Sequence, residues 1–317
     1  MKILKLIAIA SVATFGAIEV SAQTVGIGTT KRGATSQVSA SIAKIASTHG
    51  GMQMRTQPMA GTQQYIPPVN AGSLEFGVAN IMQTTWAYNG KVLSEGHPNK
   101  NLRMVATLMP FRVGPLVAAK SSIKSVGDIK GKMVPDQFKA APLFKQIMIA
   151  IMANSNVSYA DVKGVPVSGL RQHWDQLTAR KVDVAIGAVG TGYLKLMAKK
   201  LDGVRFVSMD KSPAAEARMQ KYMPNSWIGT VQPSKALTGI VGPTNLAFFD
   251  YMLFAGKDVS DDVVYRVTKA MAEHVDELRA TSPLWKGFKA KNMAKDQNMP
   301  FHPGAMKYYK EAGTWQK

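Results

Sequence analysis

Between Met52 and Asn80 the spacing of apolar positions changes twice. Met52, Met54 and Thr56 alternate with Gln53, Arg55 and Gln57, a period of two that predicts a strand. Gly61 makes a tight turn, Thr62 is placed to cap a short helix, and Gly72 suits a left-handed C-cap. Leu74, Phe76 and Val78 alternate again and predict a second strand ending at Ala79-Asn80. The same grammar returns later. Val162–Val167 reads as a strand, Ser168-Gly169 opens a helix carrying Leu170, Trp174 and Leu177, and Val182–Gly187 reads as the next strand. This loose β-α-β repeat predicts an α/β protein with two similar lobes. Ligands of open α/β sheets sit beyond the carboxyl ends of the strands, so the expected site is the cleft between the lobes.

The remaining chain fits the same plan. Val25–Thr30 predicts a first strand, followed by a Gly/Thr-rich loop to Ser36. A helix then buries Val38, Ile42, Ile45 and Ala46 and ends at Gly50-Gly51. That loop sets backbone amides and hydroxyls at a helix N-terminus, which favours an anion. It is no dinucleotide fingerprint, because Lys31 stands where the third glycine belongs. Leu102–Leu108 predicts a strand, and Met109–Pro115, with two prolines and a glycine, a crossing between lobes. Ser125–Lys132 suits a short helix and turn, Met133-Val134 a strand end, and Leu143, Ile147 and Ile151 a helix. Val204–Val207 reads as a strand, Ser208–Pro243 as irregular, and Leu246–Phe254 fits either strand or helix. Ser260 is placed to cap one long amphipathic helix burying Val264, Val267, Met271, Val275 and Leu278; a docked helix within Phe301–Gly313 closes the chain.

Length refines the picture. The 317 residues suggest two domains, and a hydrophobic content of 46% supports ordinary cores. Lys2 and Lys5, the apolar run from Leu6 to Ile18, and Val20-Ser21-Ala22 form a three-part signal-peptide pattern with cleavage expected after Ala22. The expected organisation is a signal peptide over 1–22, lobe 1 over 23–110, lobe 2 over 111–245, and a return to lobe 1 over 246–317. There is no cysteine, so disulfides, thiolate metal sites and cysteine nucleophiles are excluded. The formal charge is +19, or +18 without Lys2, Lys5 and Glu19, which favours acidic partners. The basic residues are scattered, with no Lys/Arg run and no regular aromatic interleaving, so nucleic acid is not expected as a partner.

Catalytic chemistry finds no foothold. His49, His97, His173, His274 and His302 have no partner at metal-motif spacing, and no G-x-S-x-G elbow is present. Glu273, Asp276 and Glu277 read as a solvated helix face. Glu75 and Asp183 hold corresponding strand positions, a symmetry that reads as structural rather than as an acid pair. No metal and no cofactor is expected, and binding is favoured over turnover.

Several segments occur in an order that resembles the TAXI-type solute-binding proteins of TRAP transporters. They are Gly26–Thr30, Gln57-Pro58-Met59-Ala60-Gly61-Thr62, Leu74–Asn80, Ile123–Lys132, Val182–Ala185, Asp262–Tyr265 and His302–Ala305. The resemblance spans nearly all of the chain after Ala22. It implies a type II periplasmic binding protein of two Rossmann-like lobes, monomeric, that closes on a small solute, often a carboxylate. Delivery would be to the membrane subunits of an ion-gradient-driven TRAP permease. It also implies contacts from the first loop, the Gly61 turn, the Asn80 strand end and the second lobe's facing loop. Thr29, Thr30, Gly61, Thr62 and Asn80 would then supply hydrogen bonds, Thr62 while also capping its helix. Arg112, near the crossing, is a candidate carboxylate clamp, with hinge packing as its alternative. Arg32 is a second candidate cation, and Phe138 would pack on an apolar part of the solute. This sequence departs from the family at Thr30–Gln37, where the usual glycine-rich loop and following aromatic pair are missing, and at Pro135–Ala140, which lacks a glycine-serine cradle. The alternatives are a secreted enzyme on the same fold and a basic exported protein that binds polyanions or surfaces.

Overall fold

The computed structural model describes residues 23–315. The expected signal peptide lies outside the described residues. Strands and helices run in chain order as β1 (Thr24–Thr30), α1 (Ala34–His49), β2 (Gln53–Met59), α2 (Thr62–Asn70), β3 (Phe76–Asn80), α3 (Ile81–Asn89) and β4 (Leu102–Ala118). A second set follows: β5 (Met133–Gln137), α4 (Leu143–Ala153), β6 (Lys163–Val167), α5 (Leu170–Thr178), β7 (Ala185–Ala188), α6 (Tyr193–Leu201) and β8 (Val204–Phe206). The chain closes with α7 (Pro213–Gln220), β9 (Trp227–Val231), β10 (Thr244–Gly256), α8 (Asp261–Glu273), α9 (Val275–Thr281) and α10 (Pro303–Glu311). Among the described residues no helix is long and apolar enough to cross a membrane.

Two long antiparallel strands, β4 and β10, carry both lobes. The main sheet has the order β2-β1-β3-β10-β4-β7, with β8 on β4 and β9 on β10. In the first lobe β1 pairs in parallel with β2 and β3, and β3 meets β10 at Tyr251–Ala255. Further along, β10 pairs with β9 through Thr244–Phe248, while β4 pairs with β7 and β8 through Val113–Ala118. The outer partners change near Pro110 and Asp250, where the β4–β10 register also shifts. The run Met109–Pro115 is therefore continuous strand. Proline is tolerated at 110 because β4 has no β7 partner there.

The repeat holds in the order of elements, although β1 pairs with both β2 and β3 whereas β5 pairs with β6 in a separate two-stranded sheet and β7 joins β4. β1-α1-β2-α2-β3 in the first lobe is matched by β5-α4-β6-α5-β7 in the second. Glu75 and Asp183 do the same job in each. Glu75 Oε2 accepts from the Gly26 amide at 2.6 Å, and Asp183 Oδ2 accepts from the Met133 amide at 2.8 Å. Each carboxylate ties the end of the repeat to its first strand. The predicted inward faces of α1 and α4 are buried as the periodicity requires.

Four local expectations change, and one left open is settled. β2 is a sheet edge, so Met54 is buried but Thr56 is exposed. Gly61 is the N-cap of α2, and Thr62 is its first helical residue. Leu246–Phe254 is strand, lying within β10. Ser208–Pro243 holds α7, capped by Ser212 with Pro213 in its first turn, and the edge strand β9; both have too few buried positions to show a period. The long C-terminal helix breaks at His274 into α8 and α9, and Ser260 makes no side-chain cap bond. α10 docks on α8, and the Tyr309 hydroxyl donates to the Val105 carbonyl at 2.6 Å, tying the chain end to the first lobe.

Removing either repeat-closing carboxylate leaves a strand amide without its partner. Glu75→Ala and Asp183→Ala should each cost about 1–3 kcal/mol, the range for a lost charge-assisted bond, in urea unfolding. A pair of variants as stable as the parent would show that these bonds do not hold the repeats.

Candidate functional site

Three helices point their N-termini at the gap between the lobes, and each starts on glycine. Gly33 precedes α1, Gly61 precedes α2 and Gly169 precedes α5; none makes a side-chain cap bond. All three line one cavity of about 640 Å³. A serine or aspartate N-cap would satisfy first-turn amides itself. Glycine leaves those amides, and the positive end of the helix dipole, to whatever occupies the cavity.

The lobes approach closely at its rim. Gly33 has φ 91°, and a Cβ there would lie 3.0 Å from Leu170 Cδ2 across the cleft. A Cβ on Gly61 would lie 3.2 Å from the Ala140 carbonyl oxygen. The second-lobe loop is held in a costly shape, with φ of 67° at Gln137 and 49° at Phe138. The Phe138 amide donates to the Asp136 carbonyl at 2.9 Å, and the Ala140 amide to the Ser168 carbonyl at 2.7 Å. These bonds bring Ala140 and Ala141 to the cavity wall.

The lining carries Lys31, Arg32 and Arg171 against one carboxylate, Asp175. Arg171 Nε donates to both Asp175 oxygens at 3.1 and 3.0 Å, and its guanidinium lies 4.5 Å from the Tyr193 ring centre. Burial works to raise the Asp175 pKa, but hydrogen bonds from Tyr193 and Arg171 outweigh it and hold the carboxyl below its usual value. Lys31 and Arg32 are exposed and form no ion pair among the described residues. Phe111, Phe144, Trp174, Tyr193 and Tyr251 give the walls an aromatic character. The Tyr251 hydroxyl pairs with Thr35 Oγ1 at 2.8 Å, and burial pushes its pKa up to about 12, so it remains a neutral hydroxyl.

Of the residues expected from sequence, Thr30, Arg32, Gly61 and Thr62 line the cavity. Thr29, Asn80, Arg112 and Phe138 do not. Thr29 is buried, with Oγ1 donating to the Thr35 carbonyl at 3.3 Å. Asn80 caps α3: its Oδ1 accepts from the Gln83 amide at 2.9 Å and its Nδ2 donates to Gln83 Oε1 at 2.8 Å. It acts on the cavity only through Gln83, which does line it. Arg112 lies between two lining residues, Phe111 and Val113, on strand β4. Strand alternation sends its side chain to the opposite face, where burial lowers the guanidinium pKa. Phe138 is fully buried behind the wall, edge-on to His173 at 5.4 Å and tilted against Phe144 at 6.1 Å.

The wall that sequence reasoning missed comes mostly from the second lobe, at Ser168–Asp175. The signal was present. The repeat makes Gly169 the counterpart of Gly61, so a site assigned to one turn belonged on the other as well. Trp174 was read as helix core; it is core, with Nε1 donating to the Ile186 carbonyl at 2.8 Å, and it also faces the cavity.

A family model described as NMT1-like matches residues 27–313, a span holding both lobes and all of the lining. The chain belongs to the NMT1-like family. Among solved structures it is similar to malate-bound MatC from Rhodopseudomonas palustris, at 15% identity over 93% of this chain and 98% of that one, with a TM-score of 0.56. It is also similar to a binding protein component of an ABC phosphonate transporter from Pseudomonas aeruginosa, at 10% identity over 87% and 83% of the two chains, TM-score 0.55. These likenesses show the fold: this NMT1-like protein has the two-lobed α/β architecture of the periplasmic binding proteins.

Behind the cavity wall, His173 should make the stability of this NMT1-like protein fall with acid. Its Nε2 faces the Ile186 carbonyl at 3.2 Å, and burial lowers its pKa from 6.5 to about 4. The unfolded chain therefore takes up this proton first as the pH falls. The stability of the neutral, buried ring is complete above pH 6.5 and is lost progressively toward pH 4, on the order of 3 kcal/mol in all. His173→Phe should flatten that part of the profile, since Trp174 still serves the Ile186 carbonyl. Urea unfolding at several pH values between 7 and 4 checks this; an unchanged slope in the variant would assign the loss elsewhere.

Proposed function

We propose that this protein is an exported solute-binding receptor that closes on a small organic anion and passes it, unchanged, to a membrane permease. The observation that carries this reading is the convergence of three uncapped, glycine-started helix N-termini on one cavity. Each such helix end contributes about 0.3–1 kcal/mol toward an anion, up to about 2 when partly buried. Together with Lys31 and Arg32 this favours negative charge at the mouth. The aromatic walls suit an apolar body behind the anionic group, in a cavity of ordinary ligand size. The solutes named for the structural neighbours, malate and phosphonate, are anions too. A secreted enzyme on this fold is less well supported, because the one lining carboxylate, Asp175, is held by Arg171 and Tyr193.

The TAXI-type resemblance favours an ion-gradient-driven TRAP permease as recipient. The Pseudomonas neighbour belongs to an ABC transporter, which makes an ATP-driven permease the second reading. The N-terminal signal pattern favours export to the periplasm with cleavage after Ala22. Uptake that stops with an uncoupler while cellular ATP is maintained would support the first permease; loss only on ATP depletion would support the second.

Gly169 offers a direct test of anion binding. Its backbone is extended, and a Cβ there would make only an ordinary 3.7 Å contact with Ala141. Gly169→Asp should cap α5 with its own carboxylate, keep or raise the melting temperature, and weaken anion binding about 10- to 100-fold. Screening organic acids and neutral sugars by thermal shift, then titrating the best ligand by calorimetry, provides the measurement. Tight binding of a neutral sugar, or of an anion equally by both proteins, would overturn the anionic reading.

A further inference from the structure

Away from the cleft, three potential metal ligands meet on the first lobe. His49 is the last residue of α1, His274 is the break between α8 and α9, and Glu277 lies in the first turn of α9. The two imidazoles stack with ring centres 3.4 Å apart and planes 10° from parallel. His49 Nε2 lies 3.0 Å from the Glu277 carboxylate, and His274 Nδ1 lies 3.3 Å from it. A tetrahedral ion with ligands at roughly 2.0–2.1 Å separates its donor atoms by about 3.3 Å. The two spacings to the carboxylate are close to that edge, and all three donors lie within 4.8 Å of one another.

The surrounding structure holds the three elements in place. The helix expected to run unbroken past residue 273 stops at His274, with φ −114° and ψ 43°, although neither proline nor glycine occurs between Asp261 and Thr281. Breaks usually have such a cause; this one turns His274 and Glu277 together toward the end of α1. Arg266 fastens α8 to that end, donating from Nη1 to the Gly50 and Gly51 carbonyls at 2.6 and 3.0 Å. Ser41 Oγ and Thr281 Oγ1, 2.7 Å apart, fasten α9 along α1.

We propose that His49, His274 and Glu277 form a surface site for a divalent transition-metal ion of zinc type, with water completing the coordination. Two imidazoles and a carboxylate suit zinc(II), and exclude the hard ions calcium and magnesium, which require more oxygen ligands. Parallel rings aim their lone pairs side by side, so capture requires each ring to swing inward. Both are partly exposed, at 24% and 30%. The bound ion would clamp α1 to the α8–α9 junction.

The test uses tag-free protein and zinc(II) in competition with a chromophoric chelator. The parent should bind one equivalent. His274→Ala and Glu277→Gln should each bind about tenfold more weakly or worse, while His97→Ala, at an exposed histidine elsewhere, should match the parent. Zinc should raise the melting temperature of the parent and of His97→Ala but not of the two site variants, whose metal-free melting confirms that they are folded. Magnesium should not compete. Absence of zinc binding in the parent, or equal binding by parent and His274→Ala, would overturn the proposal.

Discussion

The pairing of β4 with β10 is the constraint on which the rest of the molecule depends. Each strand is long enough to serve both lobes, and the ladder between them runs from Leu102–Gly256 to Val113–Ala247. Near its middle the flanking strands change from β3 to β7, β8 and β9. The cleft sits where the two lobes diverge from this shared ribbon, and Phe111, Val113 and Tyr251 of the ribbon line it. The floor of the site is thus also the connection between the lobes.

Around that floor each lobe repeats a solution to the same problem. A carboxylate just before the third strand, Glu75 or Asp183, satisfies an amide of the first. The helix starts at the cavity are left uncapped. Gly33, Gly61 and Gly169 give up the stability a capping side chain would contribute. The φ values at Gln137 and Phe138 add strain in the same neighbourhood. Uncapped helix starts and left-handed residues thus gather around the cavity, although left-handed backbone also occurs away from it, as at Val92 and Arg180.

Much of this was legible in the sequence. The periods of α1, α4 and α5 gave their buried faces, the β-α-β repeat gave two lobes, and the matched positions of Glu75 and Asp183 marked them as structural. What failed, failed for physical reasons. Arg112 was chosen for its charge and place in the chain, but the two-residue alternation of a strand decides which neighbour faces the cleft, and Phe111 and Val113 do. Phe138 was placed by its loop, yet its left-handed backbone folds it inward onto His173. The break at His274 was invisible because the apolar spacing continues across it: Val275 and Leu278 keep the period of Val267 and Met271. Contacts between distant segments, such as His49 with His274, leave no local trace at all.

The continuity of β4 and β10 has a mechanical consequence. Lobes joined by slack loops swing about ill-defined axes. Lobes joined by a hydrogen-bonded two-stranded ribbon can separate only by twisting or bending that ribbon, and the ladder resists shear. Any opening of this cleft is therefore a torsion about an axis fixed by the chain itself, and the glycine-capped helix ends part along one arc. Anything that enters the cleft meets that arc first, so under the proposed receptor role the path of entry would itself be a filter, set by the stiffness of the ribbon before any side chain makes contact.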